Sequence, residues 1–221
     1  VTEYTFKAFA TNAGGTGEAS NEFKTTTIAP EVETKAAEGV QTTSATLSGI
    51  VTKVGGAELK EVGFMYGTDN STLASVLKAT TADSFSQTLT TAKPNTKYYY
   101  KAYAKNEDKT CEGEILNFTT LPTLDVLSVT AITGTSATLN CSLKSDNGDA
   151  TITSVGFYYC ESTKDFPNDP TTVSLLDDRT FSISITGLTA VTEYKVKAVA
   201  TNAGGTSTTD EFTFTTAPTV A

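Results

Sequence analysis

The chain contains no histidine and no tryptophan. Without histidine, Ser-His-Asp and Cys-His nucleophile systems are excluded, as is every zinc site that needs an imidazole. Cysteine is scarce. Cys111, Cys141 and Cys160 show no CxxC spacing, so neither a thiolate metal site nor any bound cofactor is expected. No apolar run approaches the ~18 residues of a membrane span. Basic residues are outnumbered, 16 Lys and Arg against 25 Asp and Glu, for a net charge of −9. A polyanion needs a basic footprint, so no nucleic-acid partner is expected. The deficit is uneven: residues 31–121 carry 9 − 11 = −2, and residues 122–221 carry 5 − 11 = −6.

What is present is repetition. The opening "VTEYTFKAFATNAGGT", residues 1–16, returns as "VTEYKVKAVATNAGGT" at residues 191–206, identical at 13 of 16 positions. A third copy, "NTKYYYKAYAKNEDKT" at residues 95–110, matches the first at 7 of 16. "TSATLSGIV" from Thr43 answers "TSATLNCSL" from Thr135, "EVGFMYG" from Glu61 answers "SVGFYYC" from Ser154, and "NFTTLP" from Asn117 answers "TFTTAP" from Thr213. A period of about 92–96 residues is domain-sized and too long for a solenoid.

The repeated stretches alternate with period two, which predicts strands. Tyr194, Val196, Ala198 and Ala200 share one face; so do Phe181, Ile183 and Ile185, and so do Val155, Phe157 and Tyr159. "STLASVLKATT" from Ser71 is the one weak helical candidate. About seven short strands per repeat, punctuated by Gly, Asn and Pro, predict an all-β fold of antiparallel sandwiches.

"LTAVTEYKVKAVATNAGG", residues 188–205, resembles the end of a fibronectin type III domain. That family carries a Leu, a Tyr six residues later, alternating small or apolar residues, then an Asn/Gly-rich loop. The resemblance makes Tyr194, Tyr98 and Tyr4 tyrosine corners, with Ala92 where the middle copy should have Leu. The family's strand-B Trp is missing, with Gly49 and Cys141 near its place. The VGFxY strand and Thr-rich linkers look most like tandem domains of surface lipoproteins from Bacteroides-type anaerobes. The RGD loop is absent, so integrin binding is not implied.

Three units are expected. Residues 1–29 read as the F–G hairpin of a domain whose front is not in this sequence. Residues 30–121 and 122–221 read as complete sandwiches, joined by short proline-bearing linkers into a semi-rigid rod. A lone hairpin exposes Tyr4, Phe6 and Phe23 and is marginal by itself. It should therefore be covered from outside residues 1–28, either by docking on a neighbouring domain or copy, or by strand exchange into another molecule.

The best candidate binding surface lies on strand F of the middle repeat. Tyr98, Tyr100, Ala102 and Ala104 should point inward, leaving Lys97, Tyr99, Lys101, Tyr103 and Lys105 outward beside Gly63 and Met65 of strand C. Tyr with Lys suits a glycan or an acidic protein; equally, it suits a solvated strand or a packed domain contact. The matching set in the last repeat, Glu193, Lys195, Lys197, Val199 and Thr201, lacks aromatics. "KSDNGDAT", residues 144–151, holds Asp146, Asn147 and Asp149 around Gly148, but no further carboxylate follows at calcium-loop spacing, so an Asn-Gly turn is expected. Asp177 and Asp178 are adjacent and face opposite ways on a strand, which disfavours an acid/base pair. Parity places Cys141 inward and Cys160 outward, which argues against a bond between them, and puts Cys111 in the F–G loop.

No catalytic set is found, so the expected role is non-enzymatic: a cell-surface spacer or adhesion module, bacterial if the resemblance holds, within a lipoprotein or secreted chain. Its partner would be a host or cell-surface protein or glycan, with self-association through residues 1–28. The alternative is a carbohydrate-binding accessory module of a glycan-utilisation system.

Overall fold

A computed structural model describes residues 2–26, 28–107 and 109–219. Val1 and Thr27 of the opening segment lie outside the described residues. Among the described residues every regular element is a β-strand. The chain divides into two compact units. One comprises Val1–Ala36, Leu47–Gln87 and Tyr100–Leu116; the other comprises Ala37–Thr46, Thr88–Tyr99 and Asn117–Ala221. The second unit thus holds the last repeat together with the nearer segments of the middle one.

The opening hairpin pairs β1 (Glu3–Asn12) with β2 (Gly15–Lys24) in an unbroken antiparallel ladder, from Glu3↔Lys24 to Asn12↔Gly15. Opposite residues share a face, so Tyr4, Phe6, Ala8, Phe23 and Ala19 lie together. Tyr4 stacks on Phe23 at 5.3 Å, and Phe6 tilts against it at 6.4 Å. The expected cover from elsewhere is not found: Phe6 and Phe23 are about half exposed, at 52% and 53%.

The middle repeat contains β3 (Glu31–Glu38), β4 (Ala45–Lys53), β5 (Leu59–Gly67), β6 (Ser75–Ala79), β7 (Ser84–Leu89), β8 (Lys97–Asn106), β9 (Thr110–Glu112) and β10 (Leu116–Thr119). One sheet runs β3-β4-β7; the other runs β10-β8-β5-β6, with β9 also on β8. The last repeat follows the same plan with β11 (Ser128–Thr130), β12 (Ser136–Ser142), β13 (Ile152–Glu161), β14 (Thr171–Val173), β15 (Thr180–Thr186), β16 (Glu193–Asn202), β17 (Gly205–Thr208) and β18 (Phe212–Thr215). Its sheets run β11-β12-β15 and β14-β13-β16-β17, with β18 on β16. Both repeats are antiparallel β-sandwiches with the same strand order. The weak helical candidate is a strand instead: Ser75–Ala79 pairs with β5, setting Leu77 opposite Phe64 and Val76 opposite Met65.

Period-two alternation sets the cores. Tyr100, Ala102 and Ala104 on β8 are fully buried, as are Val196, Ala198 and Ala200 on β16. A pair of phenylalanines from opposite sheets occupies the centre of each core. Phe64 meets Phe85 at 5.3 Å, and Phe157 meets Phe181 at 5.2 Å. A Cβ on Gly49 would come within 2.6 Å of the Phe85 ring, and Cys141 stands directly opposite Phe181.

Two of the three expected tyrosine corners are formed, at Tyr98 and Tyr194; Tyr4 is instead half-exposed on the open hairpin. The Tyr98 hydroxyl accepts the Lys93 N–H at 2.9 Å, and the Tyr194 hydroxyl accepts the Thr189 N–H at 3.0 Å. Both rings are buried and stack on a β10 or β18 phenylalanine, Phe118 and Phe214. A second device accompanies each corner and recurs in all three copies. Thr2, Thr96 and Thr192 each donate their N–H to the hydroxyl of Thr25, Thr120 and Thr216. The backbone N–H of each of those threonines returns a bond to the carbonyl of its partner. Two hydrogen bonds thus close the strand pair at its end, where an open ladder would leave donors unpaired.

Asn95 and Val191 hold the same place in the repeat, and both take left-handed backbone, φ 45° and 54°. Asparagine tolerates that region; a β-branched residue does so at a cost of about 1–2 kcal/mol. Val191 is 68% exposed, so no packing is lost on replacing it. Val191→Asn is expected to stabilise the chain by about 1 kcal/mol, read as a rise in the denaturant midpoint. An unchanged or lower midpoint would show that the turn carries no such strain.

Candidate functional site

Strand β8 has the expected inward parity, but its outward residues do not form one open stripe. Lys97 and Lys105 are exposed, while Tyr99, Lys101 and Met65 are half-buried. The Lys97 ammonium rests 5.1 Å from the centre of the Tyr99 ring. Lys101 is held in an ion pair with Glu112. Tyr103, expected to be exposed, is buried at 6%. Its ring lies over Gly63 of β5, where an added Cβ would meet the ring at 2.9 Å. A glycine on the facing strand leaves a hollow that the aromatic ring fills.

The Tyr103 hydroxyl donates to Glu61 Oε1 at 2.6 Å, and Lys78 Nζ pairs with Glu61 Oε2 at 3.0 Å. The tyrosine hydroxyl, then Lys78, holds the Glu61 carboxyl below its ordinary pKa. Burial, then the Glu61 charge, holds the Tyr103 phenol well above its own. Glu61 therefore contributes stability that is full above its unfolded pKa and is lost as pH falls through its folded one; for Tyr103 the loss comes as pH rises through its folded value.

The "KSDNGDAT" loop is structural. Asn147 is buried; its Oδ1 accepts the Thr123 N–H at 2.8 Å, and its Nδ2 donates to the carbonyls of Thr123 and Lys144 at 2.7 and 2.9 Å. Asp146 accepts the Thr123 hydroxyl. Gly148 donates its N–H to the Pro94 carbonyl at 2.8 Å. Beside it lies a hydrogen-bonded pair of asparagines. Asn95 Nδ2 donates to the carbonyls of Gly148 and Ala150 at 3.2 and 2.7 Å. Asn202 Nδ2 donates to Asn95 Oδ1 and to the Thr120 carbonyl, both at 2.8 Å. Asn202 Oδ1 accepts the Gly204 N–H. These bonds tie the linker and the preceding turn of the middle repeat to the last repeat, and both amides are almost fully buried.

In the other unit Asn106, at the equivalent end of β8, donates to the Ile28 carbonyl at 2.9 Å, and Ile28 donates its N–H to Gly55. The asparagine of the repeated "TN/KN" position therefore grips a linker backbone twice.

The three cysteines are free. Cys141 is buried inward, and burial pushes its thiol up to about 11. Cys160 is half-buried and faces Lys195 across the strands. Cys111, placed in a loop by sequence, sits instead on β9 opposite Ala104. Asp178 caps the turn before β15, accepting the Thr180 N–H and hydroxyl.

The sequence reading found no aromatic among the outward residues of β16, the last repeat's match to β8. Phe166, in the "STKDFPNDP" loop, supplies one. Lys195 and Lys197 on β16 place their ammonium groups 4.9 and 5.2 Å from its ring centre. Tyr158 of β13, directly opposite Lys197, meets Phe166 edge-on at 6.3 Å. The only sequence signal was an isolated Phe between Asp and Pro in a polar loop.

No protein-family model matches the chain, and no curated protein does. Among solved structures the chain is similar to a two-domain fibronectin type III segment of chicken tenascin, at 16% identity over 85% of this chain and 99% of that one, with a TM-score of 0.46. It is also similar to the FN1–FN3 domains of chicken CNTN1, at 16% identity over 98% and 75% of the two chains, TM-score 0.36. Domains A168–A170 of titin match at 14% identity over 97% and 75%, TM-score 0.38.

Tyr103→Phe keeps the ring over Gly63 but removes the donor to a half-exposed carboxylate. A loss of about 1 kcal/mol at neutral pH is expected. Glu61 then returns toward its ordinary pKa, so stability falls less steeply in acid. Urea unfolding at neutral and acid pH checks both; an unchanged acid slope refutes the coupling.

Proposed function

We propose that this chain is a non-enzymatic spacer or adhesion segment of an extracellular or cell-surface protein. The observation that carries the reading is the repeated asparagine grip. Asn202 holds the Thr120 carbonyl and Asn95, and Asn106 holds the Ile28 carbonyl. A buried amide that donates to a neighbouring repeat's linker carbonyl, as Asn202 does to Thr120 and Asn106 to Ile28, restrains that linker far more than a bare proline hinge would. Such restraint suits a module that sets distance, and the repeat boundaries 1–29, 30–121 and 122–221 are the units we assign to it. A bacterial surface-lipoprotein context rests on the sequence resemblance alone.

Asn202→Ala should uncouple the joint. It leaves Asn95 Oδ1 and the Thr120 carbonyl without their donor, a loss of about 1–3 kcal/mol. Calorimetry of the full chain should show the last repeat melting earlier and apart from the rest. A thermogram that overlays on wild type would remove the basis of the spacer reading.

The hairpin's open face, with Tyr4, Phe6 and Phe23, is the surface we assign to self-association or to a further sheet. Sedimentation of the full chain should show reversible association that Phe6→Ser with Phe23→Ser abolishes. Identical monomeric behaviour of both would discard self-association.

A further inference from the structure

The strongest uncommitted feature is the outer face of the last repeat. Lys195 and Lys197 are two residues apart on one strand and therefore point to the same side. Both ammonium groups lie close to the Phe166 ring centre, and Phe166 is only half-buried. Among the described residues neither lysine forms an ion pair. Of the nearby carboxylates, Glu161 is taken by Lys164 at 2.9 Å, and Asp165 and Glu211, close enough to act on the adjacent Cys160, ion-pair with neither lysine among the described residues. This is unlike the middle repeat, where Lys101 and Lys78 each have a carboxylate. Two like charges share one ring in a repeat whose balance is −6. The ring quadrupole attracts each ammonium but leaves their repulsion without a countercharge. An anion seated between the two ammonium groups would satisfy both.

The surroundings select the kind of anion. Tyr158 and Phe166 meet edge-on and form an aromatic corner beside the lysines. No hydrogen bond to the Tyr158 hydroxyl occurs among the described residues, which leaves a polar handle at the corner. A carboxylate for the lysines, a ring face for the aromatics and a hydroxyl for the tyrosine are the groups of an acidic sugar. We propose that Tyr158, Phe166, Lys195 and Lys197 form a binding site for uronic-acid-containing oligosaccharides. It is separate from the middle-repeat strand and does not depend on the spacer reading.

The test is an NMR titration of the full chain at low salt with a galacturonic acid tetrasaccharide, its methyl ester and a hexaglutamate peptide. Saturable shifts confined to the neighbourhood of these four residues are expected with the tetrasaccharide. Affinity should drop roughly tenfold in Lys197→Gln and in Lys195→Gln, whose sheet is otherwise undisturbed. Phe166→Leu should weaken binding while the amide spectrum stays native. The methyl ester should bind at least tenfold more weakly. Equal binding of the ester would show that charge is not read. Equal binding of the peptide would make this an acidic-protein surface, and absence of shifts at about 10 mM ligand would remove the site; each outcome overturns the proposal.

Discussion

A buried primary amide has two donors and an acceptor to satisfy, and each one left unpaired costs on the order of 1–3 kcal/mol. Asn95 and Asn202 solve that problem for each other. One oxygen accepts from the other's nitrogen, and every remaining donor goes to a backbone carbonyl. Much of the surrounding sequence follows from this pairing. Gly148 is required because a Cβ there would lie 2.2 Å from Thr96 Oγ1. Gly204 is required because a Cβ would lie 1.8 Å from the Thr119 carbonyl. The asparagine and first glycine of "NAGG" are thus explained by what must fit against them; the second supplies the φ of 137° at Gly205 that closes the hairpin.

The fold was largely legible because its signals are local. Alternation along β8 and β16 has the period of the sheet, and the Leu-to-Tyr spacing carries the corner. The missed features all depend on a partner far along the chain. Tyr103 has the outward parity of an exposed residue; only Gly63, forty residues earlier in sequence, makes room to bury it. The "KSDNGDAT" loop has the composition of an ion site or a free turn, and only Pro94 and Asn95 turn it into a clasp. Phe166 lies in a segment without periodicity, so no pattern assigned it to a sheet face. "STLASVLKATT" is ambiguous alone and becomes a strand because β5 offers it an edge.

The two sandwiches share a backbone plan and differ in how their outer faces handle charge. In the middle repeat, lysines are matched by Glu112 and Glu61, and Tyr103 adds a hydrogen bond to one of the acids. In the last repeat, the more acidic one, two lysines rest on an aromatic ring without a carboxylate. The inward sets share a plan with a few exchanges, Tyr100 for Val196 and Gly49 for Cys141, while the outward residues and the loop between β13 and β14 diverge more freely.

The grip of Asn202 and Asn95 is directed mainly at main-chain carbonyls, which every residue type supplies. A unit that reads mostly its neighbour's backbone makes few demands on its neighbour's side chains, beyond the amide oxygen of Asn95 and small residues at the points of closest approach. Copies that keep these few residues can be duplicated, deleted or reordered within a gene and still offer the next unit a carbonyl to grip. The near-identity of the first and last copies, with a more divergent one between them, is the pattern that such exchange leaves in a sequence.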